Sequence, residues 1–389
     1  VEIDRGLTQE AHDPLKRALT HGLAVWAVVG TVWLLVVNAL NHEFAFDAHY
    51  AFIPAARAVL HGGSPYSGVG STALRHGMAY LYPPLAAYLF APFTVLPPLA
   101  AEIVVTALVV AAVPLTLLAL DVRDWRCYAV AFLWLPTVAG LQSANLTLPM
   151  VLGLALAWRY RDRKLVVALL CGFVIALKLF FWPLLVWLVA TRRYRSAALG
   201  AASAVAFVLL PWAGIGFAGL HRYPHMLSLV SGREGPDSYS IAALVHLGLP
   251  SWGASVAVGT VLGACLLSLV VVMGRKRRDR EAFAFTVLAI LMLTPLLEMH
   301  YLAVLLVFVA LFRKRMSAAW LVPLLIWGAP EPNNGSGLAR VQVFLVVAAT
   351  VALALSDWRP GAFARDDRRL TDRLGATSRR GAGRSLSPT

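Results

Sequence analysis

Apolar runs with few charges recur along almost the whole chain, and alternate ends of them meet short, arginine-rich turns. They occupy roughly 23–40, 98–120, 128–141, 146–159, 165–191, 196–217, 251–273, 282–298, 301–312, 317–329 and 338–356. The runs are built from Leu, Val and Ala without two-residue alternation, which argues against a membrane β-barrel. Inside hydrocarbon a backbone must satisfy its own hydrogen bonds, and only helices or closed barrels do so. Helices follow. A chain that is 59% hydrophobic and 14% charged carries more apolar surface than a soluble fold of its size can hide. The expected fold class is therefore all-α, a polytopic membrane protein.

The net charge of +14 invites a nucleic-acid reading. The cations, however, sit in small clusters between apolar runs: 16–17, 123–126, 159–164, 192–195, 275–280 and 313–315, with more arginines after Trp358. That is the positive-inside pattern rather than a continuous basic groove, so no nucleic-acid partner is expected. Placing the clusters inside predicts about twelve membrane segments, with the 165–191 run folded into a hairpin around Lys178. Both termini are then cytoplasmic. Only Arg57, Arg75, Lys178, Arg222, Arg233 and Arg340 fall at or near the outer side.

Three divisions follow. Residues 1–22 form a cytoplasmic N-terminal segment, 23–356 the transmembrane domain, and 357–389 a disordered basic tail. Two outer loops, 41–97 and 218–250, interrupt the membrane domain. Several segments are shorter than the roughly 20 residues that cross a hydrocarbon core about 30 Å thick. Their outer tips should stop within the membrane and line an outward-facing cavity. Cys127, Cys171 and Cys265 have neither metal-site nor disulfide-framework spacing and read as small buried hydrophobes.

The polar residues worth attention lie at those outer tips. Asp47 follows the first run and is placed to cap an amphipathic helix ending at Gly62-Gly63, or to act as a carboxylate at the cavity mouth. Lys178 lies in Val174–Pro183, where an ammonium either snorkels to the interface or meets an anion such as a lipid phosphate. Glu298, His300 and Tyr301 follow Thr294-Pro295, either as a polar interfacial turn or as groups facing phosphate and sugar. The second outer loop adds His221, Arg222, His225, Arg233 and 237–240. Asn145-Leu-Thr147 matches a glycosylation sequon but lies too near the membrane to carry weight. No nucleotide-binding fingerprint is present, which disfavours an ATP-driven pump.

Taken in order, Asp47, Gly63-x-Pro65-Tyr66, Tyr82-Pro-Pro84, Gln142-x-x-Asn145, Lys178 and Thr294-Pro295 before His300 resemble glycosyltransferase family 87. These are polyprenol-phosphate-mannose-dependent α-mannosyltransferases of actinobacterial envelopes, with the membrane GT-C fold. The resemblance runs from about 20 to 310. It implies Asp47 as general base, His300 as a second catalytic group, and Lys178 with Arg75 as binders of the donor phosphate. Tyr66, Tyr82, Gln142, Asn145, Ser238, Glu298 and Tyr301 become substrate-binding candidates.

The chain departs from the family pattern in three places. An extra residue separates Gln142 from Asn145, Glu298-Met-His300-Tyr301 replaces a Trp-x-His-His run, and Ser238-Tyr-Ser240 replaces Asn-x-Ser. The implied partners are a polyprenyl-phosphate-linked sugar, a glycolipid or polysaccharide acceptor and the lipid bilayer of the cell membrane. The site would face the outer side with no cofactor and no assigned metal: lysine and histidine cations could replace one, though the outer carboxylates leave metal binding open. The competing reading is a transporter or lipid flippase, against which the minimal inner turns and long outer loops argue.

Overall fold

A computed structural model describes residues 14–40, 44–68, 70–75, 78–329 and 337–356. Among them every regular element is helical, as the apolar runs require. Five helices are long and apolar enough to cross a membrane: His21–Leu40, Pro98–Ala119, Tyr194–Gly214, Trp252–Arg275 and Gly337–Leu355. The first belongs to a longer helix, Pro14–Leu40, that begins before the expected start at 23. The expected cytoplasmic segment up to residue 13, the expected outer turn at 331–336 and the expected tail at 357–389 lie outside the described residues.

The remaining apolar helices are short. Thr147–Arg159 has 13 residues and Lys164–Leu177 has 14, or about 20 Å each at 1.5 Å per residue. Trp252–Arg275, with 24 residues, reaches about 36 Å. The short helices share one end of the molecule with the long ones, where the arginine-rich turns are knitted together. Arg193 reaches both Asp279 (2.7 Å) and Asp162 (2.8 Å), Arg159 reaches Asp121 (3.2 Å), and Arg313 donates to the Leu353 carbonyl (2.7 Å). Lys314 donates to the Leu120 carbonyl. The free tips of the short helices, carrying Asn145 and Lys178, therefore stop well below the far ends of their long neighbours.

Small residues set the spacing of the bundle. A side chain at Gly172 would come within 2.6 Å of Ser203 Cβ, so Lys164–Leu177 lies backbone-close against Tyr194–Gly214. Trp158, Trp187 and Phe283 fill the space beneath the 158–164 turn, with ring centroids 4.6 Å apart for Trp187 and Phe283.

Four local expectations are corrected. The run 128–141 is not one helix: Trp125–Leu133 and Leu135–Ser143 meet at an extended Trp134, because Pro136 removes an amide donor and clashes with the preceding turn. The Trp134 indole N–H, freed from helical packing, donates to the Trp320 carbonyl (2.9 Å). The runs 301–312 and 317–329 open or continue as 3-10 helix, at Met299–Val304 and Val322–Gly328. Cys127 and Cys171 are buried, but Cys265 is exposed on the outside of its helix.

The fourth concerns Asp47. It is itself helical (φ −67°, ψ −38°) and caps nothing, its carboxylate being drawn elsewhere. The chain runs through one wide turn, Ala48–Phe52, into Ile53–Leu60, and ends at Gly62 with φ +71°, a value that glycine tolerates without cost. This segment buries Phe52, Ile53, Ala56 and Val59 and exposes Tyr50, Pro54, Arg57 and Leu60.

Candidate active site

Three breaks in the helices converge at the end opposite the arginine turns. The first is the loop before Ala48. The second is the Ala144 turn, where Leu135–Ser143 and Thr147–Arg159 meet at 119°. The third is the extended Lys178 (φ −140°, ψ 111°) between Lys164–Leu177 and Leu179–Phe181. The Ala45 amide donates to the Gln142 carbonyl (3.0 Å), which docks the first loop on the second break. Gln142 thus contributes through its backbone.

Asn145 is the hub. Its Oδ1 accepts from the Thr147 amide (2.9 Å), the Thr147 hydroxyl (2.8 Å) and the Tyr82 hydroxyl (3.1 Å). A backbone amide can only donate, so Oδ1 must face it and the Nδ2 donors must face the other way. They face Asp47, whose Oδ2 accepts from Nδ2. One carboxylate oxygen is thereby fixed and the orientation of the other with it. Asp47 is half-buried, and burial pushes its carboxyl above the ordinary carboxylate range, while the Asn145 hydrogen bond and the Lys178 charge pull it part of the way back.

Lys178 does not snorkel. Its side chain is buried and Nζ has no hydrogen-bond partner. Aromatic faces surround it instead: Nζ lies 3.7 Å from the centroid of the Tyr301 ring and 4.5 Å from that of Tyr82. Ring faces attract a cation but accept none of its N–H groups in the manner of an oxygen, so three donors stay available. Asp47 and Glu298 both lie within electrostatic range of this ammonium.

His300 is buried, with Nδ1 3.3 Å from Glu298 Oε2 and Nε2 without a partner. Glu298 itself remains 46% exposed, so the cluster opens outward on its carboxylate side. Tyr301 edges against His300 and covers Lys178.

The other candidates sit at graded distances from this centre. Tyr66 donates to the Tyr82 carbonyl (2.9 Å) and stacks on Trp212, bracing Tyr82 from behind. Ser238 is buried and bonds locally to the Gly235 carbonyl (2.7 Å), while its neighbour Tyr239 donates its amide to the Leu297 carbonyl (2.8 Å). That bond ties the 218–250 loop to the Glu298 turn. Arg75 ends the short helix Thr72–Arg75, and its side chain lies outside what the structure describes. Among the described residues no three metal-ligating side chains cluster.

Three participants escape a reading of the sequence. Thr147, seen only as part of a sequon match, is the residue that fixes the Asn145 amide. Glu234, on the Tyr223–Glu234 helix, lies within electrostatic range of Glu298 and Tyr301. Glu102, buried in Pro98–Ala119, pairs with His49 beside the Asp47 segment. The last was legible as a lone carboxylate at the start of an apolar run.

A family model described as glycosyltransferase family 87 matches residues 80–298, more than half of the chain. The chain belongs to glycosyltransferase family 87. No curated protein and no solved structure matches it. Membership makes the chain a membrane glycosyltransferase and decides against the transporter and flippase reading. The matched span contains Tyr82, Gln142, Asn145, Lys178, Ser238 and Glu298. Asp47, Tyr66, Arg75, His300 and Tyr301 lie outside it, so the place of Asp47 and His300 in the glycosyltransferase's site rests on their geometry alone.

Proposed function

We propose that this glycosyltransferase moves a sugar, mannose foremost, from a polyprenyl-phosphate donor to an envelope glycolipid or polysaccharide hydroxyl by one inverting displacement. The observation that carries the reading is Lys178: a buried ammonium with three uncommitted N–H groups, in the same cluster as a carboxylate held in one orientation. An unpaired buried cation is costly unless an anion completes it. A phosphate does so with its oxygens, and a lipid-borne phosphate arrives from the membrane in which the site is recessed.

In the proposed step the acceptor oxygen attacks the anomeric carbon as the bond from that carbon to the phosphate oxygen breaks. The acceptor proton passes to Asp47, the general base, and the bonding electrons leave with the lipid phosphate. Negative charge grows on that phosphate as Lys178 faces it, which lowers the barrier more than it strengthens ground-state binding. His300 joins as a neutral imidazole, since burial and the neighbouring Lys178 ammonium disfavour a second proton: with Glu298 accepting from Nδ1–H, Nε2 is left to accept from a sugar hydroxyl. Arg75 is assigned to the phosphate and Tyr66, Tyr82, Gln142, Ser238 and Tyr301 to the walls that hold the sugars.

The reading places the arginine-rich end in the cytoplasm and the site on the outer side, with the short and broken helices making up the twelve membrane segments. Purified protein in lipid nanodiscs, offered polyprenyl-phosphate-mannose or a nucleotide-linked mannose with a panel of envelope glycolipids, tests it. Transfer from the lipid donor alone, with inversion at the anomeric carbon, is the expected result. Transfer from the nucleotide sugar, or retention, overturns it.

A further inference from the structure

At the arginine-rich end, far from the Asp47 cluster, a groove of about 520 Å³ opens between Pro183–Ala190, the start of Tyr194–Gly214 and the end of Trp252–Arg275. Its size falls within the roughly 300–1,000 Å³ usual for small-ligand sites. Leu185, Val186, Val189 and Val271 supply aliphatic walls, and Arg192 and Arg275, both exposed, belong to its lining. No carboxylate lines it.

The backbone builds this placement. A side chain at Gly274 would meet the Ala190 carbonyl at 2.5 Å, so the two helix ends touch there through backbone alone. Arg275 follows that contact directly. Arg192 follows two residues after Ala190 and takes a left-handed turn, φ +62°, which a non-glycine residue adopts only at some cost.

Neighbouring arginines show what saturation looks like at this end. Arg193 is held by Asp279 and Asp162, and Arg161 lies 3.5 Å from Asp279. Among the described residues the guanidinium groups of Arg192 and Arg275 have no such partner. Two uncommitted guanidinium groups lining one groove, with partly exposed aliphatic walls at the end of a membrane-length helix, match one chemistry: the head group of a lipid whose phosphate charge is not offset by a cation.

We propose that this groove binds an anionic phospholipid, its phosphate bridged by Arg192 and Arg275 and its chain laid along Leu185, Val189 and Val271. The site is separate from the transferase centre and does not rest on the mechanism assigned there. The bound lipid would fasten the Pro183–Ala190 hairpin arm, which ends in Lys178's break, to Trp252–Arg275.

Native mass spectrometry of the purified full chain, titrated with phosphatidylglycerol or phosphatidylcholine, tests the proposal. Phosphatidylglycerol should be retained at least about tenfold more tightly, from a gain of about fivefold per arginine. Arg192→Gln with Arg275→Gln should abolish that preference, while Arg195→Gln with Arg277→Gln, the same charge change outside the groove, should keep it. Equal retention of the two lipids by the unaltered chain overturns the proposal whether or not the variants fold. Equal loss in both double variants also overturns it, showing only diffuse attraction. Inorganic phosphate that displaces the lipid at comparable concentration would show a free-anion site and contradict the role of the aliphatic walls.

Discussion

Ionic groups are treated differently at the two ends of the bundle. At the arginine-rich end, Arg193 meets two carboxylates, Asp124 accepts from Arg126 and from the Met316 amide, and Arg313 and Lys314 cap helix carbonyls. At the other end the Lys178 ammonium and the His300 Nε2 are buried with no hydrogen-bond partner, beside an aspartate held by a single side-chain amide. The first arrangement joins helix ends and lowers the energy of the fold. The second leaves polar capacity unused, which stable packing alone would not retain. On the proposed mechanism, the contrast separates groups that hold helix ends together from groups that wait for substrate.

The comparison can be broken by substitution, and the largest effect belongs to Asp47. Asp47→Asn should reduce transfer about 10³-fold in a single-turnover assay while leaving membrane insertion intact. It should not destabilise the protein. A carboxyl whose folded value is raised binds its proton more tightly when folded, so its ionisation opposes folding increasingly as pH climbs through the window above 3.8. A melting temperature at pH 7 that is equal or higher in the variant checks this sign.

Lys178→Met should follow, with about 10²-fold lost from kcat and little from the Michaelis constant of the acceptor. It too should raise thermal stability, since an unpaired buried charge is exchanged for an apolar chain of similar length. A variant that is both inactive and less stable would mean that Lys178 is structural after all.

Asn145→Ala sharpens the account further. Losing the amide that favours the Asp47 carboxylate should move the acidic limb of the pH–rate profile upward and cost about tenfold at neutral pH. An unshifted limb would detach Asn145 from Asp47. The smallest catalytic effect belongs to the opposite end: Arg193→Ala should leave kcat per folded molecule near that of the unaltered protein. It should lower stability by about 1–2 kcal/mol, the pair being partly solvent-exposed.

The long helices were the most legible part of this chain. An expected 98–120 becomes Pro98–Ala119 and 251–273 becomes Trp252–Arg275, because apolar length and flanking cations fix a membrane helix locally. The short elements were less so. The break at Trp134 comes from Pro136, yet Pro114 and Pro211 lie inside unbroken helices, so the effect of a proline is set by what packs beside it, as at Pro323 in Val322–Gly328. Asp47 illustrates the limit most clearly. Its local sequence suits an N-cap, but its carboxylate finds a better partner in Asn145, 98 residues away. Lys178 was conspicuous because lysine is rare in such surroundings; its aromatic enclosure by Tyr82 and Tyr301 was not, since those residues come from distant segments.

The most direct test of the central claim is the single-turnover rate of mannose transfer from polyprenyl phosphate across a pH series. Unaltered protein, Asp47→Asn and Lys178→Met would be compared in the same nanodiscs. The unaltered protein should show an acidic limb above that of an ordinary aspartate, Asp47→Asn should show a flat residual rate, and Lys178→Met should show a limb moved further upward, by loss of the ammonium, on a reduced plateau. Near-normal turnover by Asp47→Asn, with the limb still in place, would contradict the assignment of the proton transfer to this cluster.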